Sequence, residues 1–369
     1  MRAAGTRGGR AGRTVVFACM DADTLGGVQQ VTHTVAQGLA LRGHDVHVIG
    51  LHEAADPFRY VERPLYEQHV AQHRPVGEGR RGTARARVSR LLSSLPPGYV
   101  VLTSPTVVSW LADAVPRRLR AIGQYHGSFE HARGTWHFGA VRRAYVGLAR
   151  SVFLSPEDAA RFAEQALLPN ADHVPNPLGA WPETTSFLDV PRVLGIGRLA
   201  GVKRFDRLIT AFARASRTRT QWELHLIGDG PELARLRSHA ASLGVTGRVV
   251  FRGRVPASRI GQEYLNGSIL GLSSEHEGFP LVVAEAASYG MPAVAFDVSG
   301  GVRALVRDGA TGVLVPPADV DALTGALNGL MADHARRRRL GAAARAHAEA
   351  FRLEKVLDRW EDVFARISR

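Results

Sequence analysis

The chain has 369 residues, and its 47 lysines and arginines outnumber 34 acids to leave a formal charge of +13. That length fits two domains, each able to bury a core. The lone Cys19 excludes an internal disulfide, and no apolar run is long enough to span a membrane.

The arginine-rich start has no signal-peptide core, so a cytoplasmic protein is expected. Its positive surface is either simply solvated or rests on the anionic inner face of a membrane. Residues 1–13, rich in glycine and arginine, read as a disordered basic leader. Thr14–Ala18 is the first strand, and Leu25-Gly-Gly-Val-Gln-Gln30 opens a helix behind it. Gly26 and Gly27 let the backbone come close to a phosphate or sugar. Asp21-Ala-Asp23 has the Asp-x-Asp spelling of a divalent-ion site. Its place just ahead of the glycine pair makes it a loop and helix-capping segment instead, so no metal is expected. His73–Arg90, with six arginines, reads as a mobile basic loop. His126 closes another short strand, and Pro175–Asp189 interrupts every periodicity and is the expected linker.

The second half alternates short apolar strands, glycine turns and helices, which predicts a doubly wound parallel sheet. Val193–Gly197 is a strand, and Phe205–Phe212 carries apolar residues at helical spacing. Arg198 and Lys203 therefore lie on the loop between them, at the ligand edge of such a sheet. Lys203 is notable because only Lys355 shares its residue type in an arginine-rich chain. Two more strands follow, Trp222–Gly228 and Val249–Phe251, the latter leading into Arg252-Gly253-Arg254.

Ile269–Ser273 then runs into Glu277-Gly-Phe-Pro-Leu-Val-Val-Ala-Glu285. Glu277 falls in the loop, Glu285 on the helix after it, and Pro280 suits the first helical position. The free N–H groups of that helix end favour an anion, whereas carboxylates favour hydroxyls. A ligand with phosphate in its middle and hydroxyls at both ends answers both, and a nucleotide-sugar is one. Arg336–Arg339 reads as the solvated face of a late helix, and Phe351–Ile367 as an amphipathic one.

Taken in order, GRLAGVKRFDRLITAF, LIGDGPE, FRGRV and EHEGFPLVVAEAASYGMPAVAFD resemble the C-terminal domain of family 4 glycosyltransferases. The resemblance covers nearly all of residues 190–352; Gly26-Gly27-Val28 and Leu41–Val48 match more loosely. It implies an α/β chain of GT-B architecture, two Rossmann-like doubly wound domains facing across a cleft. The first would be an acceptor-side domain over 14–178, with the terminal helix 352–369 packing back on it. The second, 190–351, would bind the nucleotide-sugar donor. Arg198 and Lys203 would grip the diphosphate, and Glu285 would bond the ribose hydroxyls. Glu277 with Gly278, Phe279, Pro280 and Leu281 would cradle the sugar, Arg252–Arg254 would border the base, and His126 would reach the reacting carbon.

The implied reaction is a retaining, metal-independent transfer of a hexose or N-acetylhexosamine to a hydroxyl, with a UDP-sugar favoured as co-substrate and no further cofactor. The acceptor is open among an envelope polymer, a lipid-linked saccharide and a secondary metabolite. Ser299-Gly-Gly-Val-Arg303 departs from the pattern, standing where relatives commonly carry an acid after the paired glycines. A sugar-nucleotide epimerase or a glycosyl phosphorylase shares the fold. A nicotinamide enzyme is disfavoured by the lack of Gly-x-Gly-x-x-Gly after a strand. A basic membrane- or nucleic-acid-binding protein is the non-enzyme alternative, and no nucleic-acid motif supports that second partner.

Overall fold

The computed structural model describes residues 12–73 and 81–368. In the first half the strands are β1 (Thr14–Asp21), β2 (Asp45–His52), β3 (Glu67–Val70), β4 (Gly98–Leu102), β5 (Leu119–Gln124), β6 (Arg150–Phe153) and β7 (Ala171–His173). They form one parallel sheet in the order β3-β2-β1-β4-β5-β6-β7. The second half supplies β8 (Arg192–Ile196), β9 (Glu223–Ile227), β10 (Val249–Gly253), β11 (Ile269–Leu272), β12 (Ala293–Phe296) and β13 (Gly312–Val315). These pair, also in parallel, as β10-β9-β8-β11-β12-β13. Two doubly wound α/β layers are what the strand–helix alternation predicts.

Both faces of each sheet are covered, so the strands read as continuous apolar runs. Along β1 the side chains alternate: Val15 and Phe17 enter one core cluster, Val16 and Ala18 another. The helix Gly27–Leu41 offers Val31, Val35 and Leu39, one face at four-residue spacing, to the first of these. Helix Leu353–Ile367 completes that core with Val356, Trp360, Val363 and Phe364, and the Trp360 ring meets Phe17 edge-on at 6.1 Å. The chain crosses over just before it, where the Leu178 N–H donates to the Phe351 carbonyl.

Several sequence expectations change here. Residues 1–11 lie outside the described residues, but Arg13 is tied down by its bonds to Tyr99 and Ser368. Within His73–Arg90, residues 74–80 lie outside the description, and the rest is no mobile loop. A helix runs Arg81–Ser94 because Ala84, Val88 and Leu92 recur every four residues and are buried. Two of its arginines are partnered: Arg87 donates to the Ala71 carbonyl and Arg85 pairs with Asp113. Nor is Arg336–Arg339 uniformly solvated. Helix His334–Ala348 turns Arg337 inward, 5% exposed, where it bonds the carbonyls of Leu188, Leu330 and Met331 and lies over Trp222.

No helix among the described residues is long and apolar enough to cross a membrane.

Candidate active site between the two sheets

In an open parallel sheet, ligands sit where the strand order reverses, because adjacent loops there leave in opposite directions and open a crevice. In the second sheet that point lies between β8 and β11. The loop after β8 runs through Gly197, Arg198 and a short 3₁₀ turn, Gly201–Lys203, into helix Phe205–Ala215. The loop after β11 runs from Ser273 to Pro280, and helix Leu281–Ser288 follows. Lys203 Nζ reaches Glu277 Oε1 at 2.7 Å, closing the crevice with an ion pair.

The two loops are laced together beneath that pair. Ser273 Oγ donates to the Lys203 carbonyl and the Glu275 N–H to that of Val202. Between them Arg204 adopts a left-handed conformation, φ +46°, that a side chain disfavours by about 1–3 kcal/mol. Its ion pairs with Asp206 at 3.0 Å and Glu275 at 2.5 Å hold it there, and Arg207 also grips Glu275. Lys203 is thus aimed by backbone that cannot relax.

Glu285 sits on the second turn of its helix and accepts a 2.6 Å bond from the Tyr264 hydroxyl. Burial raises its pKa, with the Tyr264 bond opposing. Arg198 is exposed at the rim, and no ion pair of its side chain occurs among the described residues. Arg252 pairs with Glu263 at 2.8 Å, Gly253 takes φ +66°, and Arg254 is exposed beyond it. β9 pairs with β8 and β10 with β9, all in parallel, so these loops share one edge of the sheet.

Pro280 corrects the sequence reading by one position. With ψ near 100° it is the residue before the helix, and Leu281 is the first helical residue. Phe279 is core, 5% exposed and edge-on to Phe351. This stretch therefore presents mainly backbone and the orphan N–H groups of the helix end to the crevice.

In the first sheet the order reverses between β1 and β4, and the loops there meet the one after β5. They enclose a cavity of about 370 Å³ lined by Asp21, Gln29, Thr103, His126, His131 and Trp136 among others. His126 is half-buried with its Nε2 sealed from solvent and without a partner among the described residues, and burial pushes its pKa down to about 4 and keeps it neutral. Asp21 accepts from the Thr24 N–H and from Gln29, and Asp23 from the Ala54 N–H, so both carboxylates brace the loop. Neither caps the helix, whose N-cap is Gly26. The Gly26 N–H is taken by the Tyr60 hydroxyl at 2.7 Å, while Gly27 opens to free space.

The two halves touch at glycine. A Cβ on Gly278 would overlap the His126 carbonyl oxygen, and one on Gly301 would overlap that of Gly278. This explains the Ser299-Gly-Gly turn: it lets three backbones pack across the cleft. Arg303, at the end of that segment, closes the same contact from one side. It binds Asp297 at 2.6 Å in its own half, and Glu157 at 2.6 Å and Glu130 in the other.

The sequence reading missed Tyr264, Glu275, Tyr60 and Trp136. Glu275 stood in plain sight beside Glu277, but its role depends on Arg204. Tyr264 and Tyr60 lie 21 and 34 positions along the chain from the groups they bond. Trp136, 68% exposed, links the His126 cavity to a groove of about 750 Å³ also lined by Thr106, Asp113 and Arg143.

Comparison with known proteins agrees with this geometry. The family described as "Glycosyltransferase Family 4" matches residues 25–178, and "Glycosyl transferases group 1" matches residues 182–347. An exopolysaccharide phosphotransferase of Streptomyces coelicolor is 28% identical over 96% of this chain, which spans 41% of that protein. An uncharacterized glycosyltransferase of Haemophilus influenzae is 25% identical over 95% of this chain and 99% of its own. The solved structure of Anabaena HepE in complex with UDP-glucose superposes with a TM-score of 0.79 at 19% identity, covering 96% and 99% of the two chains. Likeness at that identity speaks to the fold alone.

Proposed function

The chain belongs to the family 4-like glycosyltransferases, and from that premise we propose that it moves a hexose or N-acetylhexosamine from a UDP-sugar to a hydroxyl of a carbohydrate acceptor. The carrying observation is the Lys203–Glu277 pair, set at the strand-order reversal of the second sheet, with Gly278 next to it packed on the backbone of neutral His126. In this reading residues 190–351 hold the donor and 14–178 the acceptor.

Charge accumulates on the departing diphosphate as the glycosidic bond breaks, so cations fixed beside it act mainly on the transition state. Lys203 and Arg198 take that role, with the N–H groups opening helix Leu281–Ser288. Glu285 accepts from the ribose hydroxyls, and its existing bond to Tyr264 holds it in place. Glu277 and the backbone of Gly278–Leu281 orient the sugar. His126, kept uncharged by burial, donates or accepts a hydrogen bond near the reacting carbon without adding charge there. Retention follows from front-face attack, the leaving phosphate oxygen accepting the acceptor's proton. The fixed cations make a metal unnecessary at this step. A UDP donor draws support from the UDP-glucose bound by HepE, and a polysaccharide acceptor from the Streptomyces relative's name and from exposed Trp136.

The test is a thermal-shift panel of UDP, GDP, ADP, their sugars and NAD, with chelator present. UDP compounds should stabilise the wild type, and Lys203→Ala should abolish the shift. A shift from NAD alone, or none from any nucleotide, overturns the reading.

A further inference from the structure

The outer strands of the first sheet gather three donor side chains with no part in the cleft. β2 pairs with β3 in parallel, His47 opposite Glu67 and Ile49 opposite His69. Side chains alternate along a strand, so Glu67 and His69 share one face of β3. His47 Nδ1 lies 3.1 Å from His69 Nε2 and 3.6 Å from Glu67 Oε2, and His69 Nε2 lies 3.5 Å from that oxygen. Tetrahedral zinc holds nitrogen and oxygen ligands at about 2.0–2.2 Å, which sets them about 3.3–3.5 Å apart. All three sides of the observed triangle are close to that spacing.

A shared proton would account for the histidine pair alone. It would not account for a carboxylate oxygen equidistant from both nitrogens, nor for the far side of His47. There Nε2 is buried, has no hydrogen-bond partner among the described residues, and lies 3.3 Å from Asp45 Oδ1. Metal-bound imidazoles commonly direct their other N–H at a carboxylate, which fixes the tautomer and frees the ligating lone pair.

We propose that His47, Glu67 and His69 form a binding site for a divalent ion of the zinc class, with Asp45 as outer partner of His47 and a fourth position open to water. Access is from solvent: the Glu67 side chain is 70% exposed and that of His69 26%, while His47 at 5% forms the floor. Imidazole and carboxylate donors suit zinc and its neighbours in the transition series. The site is separate from the cleft. β1 pairs Val16 with His47 and Asp21 with His52, a run of five residues or about 16 Å along the strands. An ion here ties edge strand β3 to β2 and takes no part in sugar transfer.

The experiment is titration of the chelator-stripped full chain with Zn²⁺ against a chromophoric competitor, with a parallel Co²⁺ titration read by visible absorption. Wild type should take up one tightly held equivalent, gain thermal stability, and give the intense bands of tetrahedral cobalt. His69→Ala and Glu67→Gln change partly exposed edge-strand residues, so their metal-free melting temperatures should match wild type while affinity falls at least about 100-fold. Asp45→Asn should weaken binding about 10–100-fold, the usual effect of losing an outer partner. Adventitious binding to any of the other histidines would survive His69→Ala. That survival, or the absence of a saturable equivalent in wild type, overturns the proposal.

Discussion

Replacing Lys203 by methionine keeps the length of the side chain and removes its charge. A cation about 4 Å from the departing phosphate contributes about 4 kcal/mol at an effective dielectric near 20. Lys203 is 25% exposed, so solvent screens part of this, and about 3 kcal/mol, or 10²-fold in rate, is the expected loss. Glu277, 9% exposed and paired at 2.7 Å, would meanwhile be stranded as a buried carboxylate beside a diphosphate. That repulsion adds to the loss and costs stability. The two contributions separate in the double variant Lys203→Met/Glu277→Gln, which removes the stranded charge without restoring the cation. The assay is UDP release from UDP-glucose with and without candidate acceptors, alongside UDP affinity by calorimetry. The double variant should recover melting temperature but stay slow. If Lys203→Met retains a rate within about threefold of wild type, the diphosphate role is wrong. If the double variant regains full rate, Lys203 does no more than neutralise Glu277.

Glu285→Gln should weaken UDP about 10–100-fold, the range for losing one charged hydrogen bond, and unchanged affinity would remove it from the ribose site. Gly278→Ala forces a methyl into the His126 carbonyl, so it should part the two halves and destabilise by about 1–3 kcal/mol, read as a lower melting temperature and a larger radius of gyration. The pH dependence of stability should carry two opposing contributions. Burial raises Asp158 from 3.8 to about 6, so its contribution is full below pH 3.8 and is lost as pH rises through about 6. Burial lowers His126 from 6.5 to about 4, so its contribution is full above pH 6.5 and is lost as pH falls through about 4. Each is worth about 3 kcal/mol and they nearly cancel. Asp158→Asn should therefore fall in stability more steeply than wild type between pH 6 and 4, and His126→Gln less steeply, by urea midpoint. Parallel curves for all three proteins would contradict both assignments.

Much of the architecture was legible because it is local. Thr14–Ala18, Val193–Gly197 and Ile269–Ser273 each announce a buried parallel strand by a nearly unbroken apolar run, and Gly197 marks where the second turns at the sheet edge. The positions of Lys203 and Glu277 on such edges could be read for the same reason. Element bounds and exposure were less secure. A strip of arginines hid the Ala84–Val88–Leu92 stripe, and four consecutive arginines gave no sign that helical phase would bury only Arg337.

The sequence by itself therefore determined the alternation of strand and helix, the two sheets, and the family, since these follow from short-range periodicity and from motifs a few residues long. Only the tertiary structure decided which charges meet. Lys203 and Glu277 are 74 positions apart, Arg303 and Glu157 146, and Tyr264 and Glu285 21. Strand order brings the first pair together, and contact between the two halves brings the second. Arg204 is driven into a left-handed conformation by carboxylates that local sequence cannot weigh. Pairing across a fold depends on topology, and topology is settled by the packing of whole elements rather than by any segment's own preference.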